Sequence, residues 1–289
     1  MNDTILDEDV TITKMVPGGQ SLGELQNGKK VFVWNALPGE VVRIRLIKKR
    51  SNYVEGIAEQ VIKASTDRID PAEPNYLATS PWQMMTFAAE NKYKGQIVEE
   101  IFKQANVALP GFEMTWGPGK VNDEDSVRSS EFHYRNKMEY SFWGDETGLH
   151  LALHQRGSHG KQIVPGSQLA LPSVDAVADA VRSMLDSRHI RASDLKTIIV
   201  RSTQDFHTAA ALFVKSESFQ ELELPDTLQG LRVYYSDPKS PASIPTKQLF
   251  EYGNCTLEDS VTWPIVYLRR ELILSDKSSG VRDSSATNH

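Results

Sequence analysis

Residues 10–62 leave little choice of fold, because turn-forming residues cut them into five short β-type runs. Val10 to Thr13 alternates, and Pro17-Gly18-Gly19 then turns the chain. Ser21 to Leu25 and Lys30 to Trp34 flank Asn27-Gly28, a strong tight-hairpin signal. Pro38-Gly39 precedes Val41 to Ile47, and Tyr53 to Ile62 completes the set. Five short strands without a helical pattern predict a small closed barrel of oligonucleotide-binding type. Closure removes the exposed edges that so small a sheet would otherwise present.

The charge of this segment departs from that of the whole chain. The 289 residues carry a net charge of −6, which points to no polyanion partner. Residues 10–66 nevertheless hold Lys14, Lys29, Lys30, Arg43, Arg45, Lys48, Lys49, Arg50 and Lys63 against Glu24, Glu40, Glu55 and Glu59. Ahead of them stands an acidic lead of Asp3, Asp7, Glu8 and Asp9. In the fourth run Val42, Ile44 and Leu46 share one face of a strand and Arg43 and Arg45 the other, with Lys48-Lys49-Arg50 continuing into the turn. Two readings stand side by side: a ridge that contacts phosphates and releases their counterions, and a solvated outer face.

The rest of the chain changes period. Residues 65–82 are broken by Pro71, Pro74 and Pro81. Phe87, Ile97, Val98, Ile101, Phe102 and Ala105 then recur at helical spacing, up to a stop before Leu109-Pro110-Gly111. Asn122 to Ser130 reads as an exposed loop. Glu139 to Trp143, Leu149 to His154, Thr197 to Arg201, Ala209 to Val214 and Leu231 to Tyr235 read as strands. Between them lies an amphipathic helix N-capped by Ser173, with Asp175 at the positive end of its dipole. Helix and strands mix without strict βαβ alternation, so the class is α+β. The expected organisation is a barrel at 10–64, a linker and helix at 65–112, an α+β domain at 113–260 and an irregular tail at 261–289 that can be read as non-native.

Composition excludes several chemistries. No apolar run approaches the roughly 20 residues needed to span a bilayer, so no membrane partner is expected. The acidic start lacks the pattern of a secretory leader. Cys255 is the single cysteine, which rules out an internal disulfide and sites built from several thiolates. The expected address is the cytoplasm and the expected state a monomer. His150, His154 and His159 lack further ligands at metal-site spacing, and no metal is expected. Cys255 has no adjacent base to lower its pKa and reads as a small buried hydrophobe; no catalytic residue is assigned. Tyr134-Arg135-Asn136-Lys137-Met138-Glu139-Tyr140-Ser141-Phe142 places two cations and an amide before an aromatic strand. That is either an RNA contact or an edge strand with a charged start.

Several motifs together resemble one family. Gly18-Gly19-Gln20-Ser21-Leu22-Gly23 and Leu37-Pro38-Gly39-Glu40 are similar to a TRAM domain. Tyr134 to Phe142, Leu149 to Ser158 and Leu195 to Arg201 resemble the central domain of bacterial RNA 5-methyluridine methyltransferases. The resemblance covers about residues 10–260 and implies S-adenosylmethionine-dependent methylation of carbon 5 of a uridine in ribosomal or transfer RNA. In that family a cysteine attacks carbon 6 of a flipped base, and a C-terminal Rossmann-like domain holds cofactor and cysteine. Here the cysteine run of the family's iron–sulfur cluster is replaced by Thr79-Ser80-Pro81-Trp82-Gln83, so no cluster is expected. After Ser260 the family's cofactor domain does not follow, and Cys255 does not match the nucleophile. A reading-frame change near Val261 is one explanation. The expectation is therefore the RNA-binding part of a uridine-C5 methyltransferase, truncated and inactive alone, with no S-adenosylmethionine site of its own; the alternatives are a free-standing RNA-binding module or a gene remnant. The resemblance and the charge together assign RNA docking to Lys29, Lys30, Arg43, Arg45, Lys48, Lys49, Arg50, Arg135, Asn136, Lys137 and Arg156.

Overall fold

A computed structural model describes residues 4–107, 131–157, 160–225, 228–240, 243–262 and 267–272, those from 259 onward by backbone alone. The expected stop at 109–111, the loop at 122–130, His159 and most of the tail lie outside these residues. The first unit is a closed barrel of β1 (Ile5–Met15), β2 (Ser21–Glu24), β3 (Lys30–Trp34), β4 (Val41–Lys49) and β5 (Tyr53–Lys63), in the order β1-β2-β3-β5-β4. Alternation sends Val10, Ile12, Val31, Val33, Val42, Ile44 and Val54 inward to one dry core. Gly56 lies where a Cβ would come within 2.2 Å of the Ile44 side chain, so the narrow interior admits only hydrogen there. β3 and β5 pair in parallel, which closes the barrel without a sixth strand. The acidic lead is no separate arm: Asp7, Glu8 and Asp9 belong to β1, and Asp9 lies opposite Arg43 of β4.

The segment expected as a linker is wired into both units. Arg68 donates from Nε to Oε1 of Glu40 at 2.6 Å and from a terminal nitrogen to Oε2 at 2.8 Å. Glu40 is fully buried at the barrel's base and also accepts the Leu37 and Ser65 backbone N–H groups. After a single turn, α1 (Tyr76–Thr79), helix α2 (Phe87–Gln104) starts at Thr86, whose hydroxyl caps the Ala89 N–H. Its Ala89 and Tyr93 join Met15, Leu37, Met84 and Met85 in a second core under the barrel. The apolar stripe read in the sequence overshoots this contact, since Ile101 and Phe102 are exposed.

The second unit is a seven-stranded sheet of β6 (Lys137–Asp145), β7 (Gly148–His154), β8 (Lys161–Ile163), β9 (Leu195–Ser202), β10 (Thr208–Val214), β11 (Gly230–Tyr235) and β12 (Lys247–Gly253). Its order is β12-β11-β10-β9-β6-β7-β8, antiparallel except for β10 with β11. Helix α3 (Pro172–Ser187) covers one face with Val174, Val177, Ala178, Val181 and Leu185. Its N-cap is Leu171, two residues before the expected Ser173. Proline presets the first helical φ without needing a bonded N–H, and the Ser173 hydroxyl instead donates to the Ser202 hydroxyl at 2.8 Å. Strands β8 and β12 carry no clear strand signal in the sequence, because β8 spans three residues and β12 keeps no clean apolar–polar alternation. The tail is not wholly irregular: β13 (Leu257–Thr262) pairs antiparallel with β14 (Tyr267–Leu272).

Candidate nucleic-acid interface

The outer face of β3 carries Lys30, Phe32 and Trp34, because Val31 and Val33 take the inward positions. Across the ladders Lys30 is opposite Tyr53, Phe32 opposite Glu55 and Trp34 opposite Ile57. Phe32 and Tyr53 meet edge to face with ring centroids 5.5 Å apart, and both are half-buried. On one side stands the β2–β3 turn, where the Lys29 ammonium donates to the Arg50 carbonyl at 2.9 Å. This contact brings Lys29, Lys30, Lys48, Lys49 and Arg50 to one end of the barrel. On the other side the second unit reaches in: the Arg156 guanidinium lies over the Trp34 ring, 5.6 Å from its centroid. A Cβ on Gly157 would come within 2.9 Å of Ile57. Half-covered aromatic rings amid cations form the arrangement on which unpaired bases stack while their phosphates are neutralised.

The expected basic ridge on β4 is largely neutralised by cross-strand partners. Arg43 pairs with Asp9 at 3.0 Å, Arg45 with Glu59 at 2.9 Å and Lys48 with Glu55 at 3.5 Å, and Lys30 pairs with Glu24. Each such exposed pair contributes under about 1 kcal/mol and exchanges readily, yet it lowers the local field. Arg43 and Arg45 are thus structural strand partners first. Arg135 and Asn136 are held by their backbones: Arg135 bonds to Leu169 and Leu171, and the Asn136 carbonyl accepts the Ser202 N–H at 2.9 Å. Lys137 opens β6 opposite Arg201. Because β6 and β7 are antiparallel, the start of β6 and the end of β7 share one end of the sheet, so Lys137 and Arg156 face the same region.

This alignment depends on the segment between the units, a feature missed in the sequence. Glu73 accepts from the Thr79 hydroxyl at 2.6 Å, the Gln83 amide at 2.5 Å and the Gln168 backbone N–H of the sheet unit at 2.8 Å. The Tyr76 hydroxyl donates to Asn35 at 2.6 Å, the Trp82 indole to the Gly19 carbonyl at 3.0 Å and the Arg156 N–H to the Leu77 carbonyl at 2.9 Å. Burial pushes the Tyr76 phenol above its ordinary pKa, so it stays a donor. Clustered Glu, Asn, Thr and Gln between prolines was the available signal. Thr79 and Trp82, which stand where the resembled run carries its cysteines, are bonded to Glu73 and to the Gly19 carbonyl and offer no thiolate; they do not fit an iron–sulfur centre.

The other candidate groups are already partnered or buried. Cys255 is buried, and burial pushes its thiol pKa up, the opposite of an activated nucleophile. His150 bonds to Asp145 and Thr147 within its own hairpin, and among the described residues no group of three or more metal-ligating side chains converges. A groove of about 450 Å³ between the β6–β7 turn and the end of α3 is lined by Asp145, Asp186, His189 and Arg191. Asp186 there accepts the Leu149 N–H and Arg191 pairs with Asp194, so its charges are already partnered. A doubly wound cradle for an adenosyl cofactor needs a helix after a parallel strand. The connection between β10 and β11 contains none among its described residues. No helix among the described residues is long and apolar enough to cross a membrane.

Comparison with known proteins agrees with this architecture. Residues 8–58 match the TRAM domain. Over 224 residues the chain is 29% identical to an uncharacterized RNA methyltransferase of Thermotoga maritima, covering 73% of this chain and 47% of that protein. Over 140 residues it is 26% identical to the 23S rRNA (uracil(1939)-C(5))-methyltransferase RlmD of Shewanella halifaxensis, covering 48% of this chain and 29% of that one. A crystal structure of the Pyrococcus abyssi tRNA (uracil-54, C5)-methyltransferase in complex with S-adenosyl-L-homocysteine superimposes with a TM-score of 0.58 at 12% identity, over 90% of this chain and 58% of that one. At that identity the match shows a shared fold. The protein is thus a TRAM barrel joined to an α+β sheet unit, homologous to RNA uracil-5-methyltransferases. The chain spans about half the length of the curated relatives it matches.

Proposed function

We propose that this chain supplies the RNA grip of a uracil-C5 RNA methyltransferase, and that residues 1–289 bind folded RNA without transferring methyl groups themselves. The observation that carries this reading is the composite face on which Lys30, Phe32 and Trp34 project from one strand and Arg156 arrives from the other unit. Stacking on Phe32 and Tyr53 would hold an unpaired base, and Lys49, Arg50 and Lys29 would follow its backbone. The segment around Glu73 keeps the two units in register, so a strand crossing from barrel to sheet meets preset contacts. Orientation is the protein's part of the chemistry here. The methyl group would come from S-adenosylmethionine. Attack on carbon 6 of the uracil needs a thiolate, and the chain's one thiol is buried.

The test uses the purified chain with a transcribed transfer RNA and with a ribosomal RNA fragment. Neutralising about four phosphates gives a log–log slope of affinity against salt near −3. Phe32→Ala is expected to weaken binding about tenfold, in line with the loss of one stacked base. Salt-independent binding would remove the electrostatic part of the proposal. Transfer of labelled methyl from S-adenosylmethionine would show that a nucleophile and donor site exist within these residues.

A further inference from the structure

Arg201 is the arginine of the sheet unit whose Nε, among the described residues, is buried without a hydrogen-bond partner. Its neighbours along β9 fix its direction: Val200 is buried in the core, and the Ser202 side chain bonds Ser173 of α3. Arg201 therefore projects from the face opposite the helix. There the ladders set Lys137 of β6 on one side of it and Ala209 of β10 on the other. Two cations directly opposite on neighbouring strands repel. The Nε of Arg201 is buried without a hydrogen-bond partner, and among the described residues no carboxylate pairs with Arg201 or Lys137. Burial pushes the guanidinium's pKa down, with no acidic group offsetting it. By contrast Arg232, one strand beyond β10 on the same face, meets Glu251 through two contacts of 3.1 and 3.2 Å. Arg182, Arg188 and Arg191 each meet an acid.

Glu139 lies two residues along β6 on the same face but pairs with neither cation. A half-covered arginine beside a lysine, without an ion pair, is unfavourable for folding and is the arrangement an incoming anion would relieve. We propose that Arg201 and Lys137 form an anion site that takes one backbone phosphate of the bound RNA. The guanidinium fork suits two phosphate oxygens at once, and the lysine adds a point charge beside it. The pair is held rigidly, because the Ser202 N–H bonds the Asn136 carbonyl between the two strand ends. It also lies at the end of the sheet shared by Arg156, so the site continues the barrel face onto the sheet. This inference rests on the RNA-binding reading above.

The experiment compares wild type with Arg201→Met, Arg201→Lys and Lys137→Met, using fluorescently labelled transfer RNA across a salt series and thermal unfolding without RNA. Arg201→Met is expected to bind about tenfold more weakly near physiological salt and to flatten the salt slope by about one. Its melting temperature should be unchanged or higher, because an unpartnered charge has been replaced by an apolar side chain. Arg201→Lys should fall between. Wild-type affinity and slope in Arg201→Met would overturn the site, as would a loss of binding that merely follows a loss of stability. If wild type binds no RNA, the proposed function fails instead. Inorganic pyrophosphate then reads the site alone: it should raise the melting temperature of wild type and not of Arg201→Met, and equal responses would overturn it.

Discussion

Replacing Arg68 with Met isolates the contact that ties the barrel to everything after it. The side chain makes three hydrogen bonds, at 2.6 and 2.8 Å to the two oxygens of Glu40 and at 3.1 Å to the Asn35 carbonyl. Glu40 is 0% exposed, so the variant leaves a carboxylate in a dry site with only the Leu37 and Ser65 N–H groups as donors. Removing one partner of a buried pair costs about 3–5 kcal/mol. The two remaining donors place the expected loss at about 3 kcal/mol. For a chain of this size that lowers the melting temperature by about 6–12 °C. Circular dichroism during heating measures it. A second variant, Glu40→Gln in the Arg68→Met background, removes the buried charge, keeps an acceptor for Leu37 and should recover about half of the loss. A drop below about 1 kcal/mol in the single variant, or no recovery in the double, would refute the view that Glu40 is held by Arg68 rather than by the backbone.

Other consequences can be measured separately. Arg156→Gln removes the guanidinium from Trp34 and is expected to weaken RNA binding about fivefold. Arg43→Gln, whose charge is already matched by Asp9, should change it less than about twofold; filter binding distinguishes them. In the β6–β7 hairpin the Thr147 hydroxyl and N–H, followed by His150, hold the Asp145 carboxyl down at about 2. A lowered folded-state pKa means the turn's stabilisation is complete above the ordinary value of 3.8 and is lost as pH falls through about 2. Carboxyl-carbon NMR titration of Asp145 should show that midpoint, and Thr147→Val should return it toward 3.8.

The two halves of the candidate interface were unequally legible. Lys30, Phe32 and Trp34 alternate with Val31 and Val33, so their common face could be read directly. That Tyr53 meets Phe32 could not, because β3 and β5 pair in parallel across an intervening strand in sequence. The charge run of β4 was visible but misleading. Asp9 and Glu59 lie 34 and 14 residues from the arginines they neutralise, and no local pattern announces such partners. Arg201 closes the Leu195–Arg201 run that carries part of the family resemblance, but nothing in that run marks it as unpaired until its neighbours are known.

Turn residues and period-two alternation act over a few positions, so the amino-acid order by itself determined the barrel, the amphipathic helix over the sheet and the presence of excess cations near the start. Tertiary structure decided which of those cations remain without an acid. Ion pairing depends on strand order and register, which are set by closure of the barrel and by how Glu73 and Glu40 lock the intervening segment. A charge counts toward binding only when the fold leaves it unmatched, and that is a property of neighbours distant in the chain.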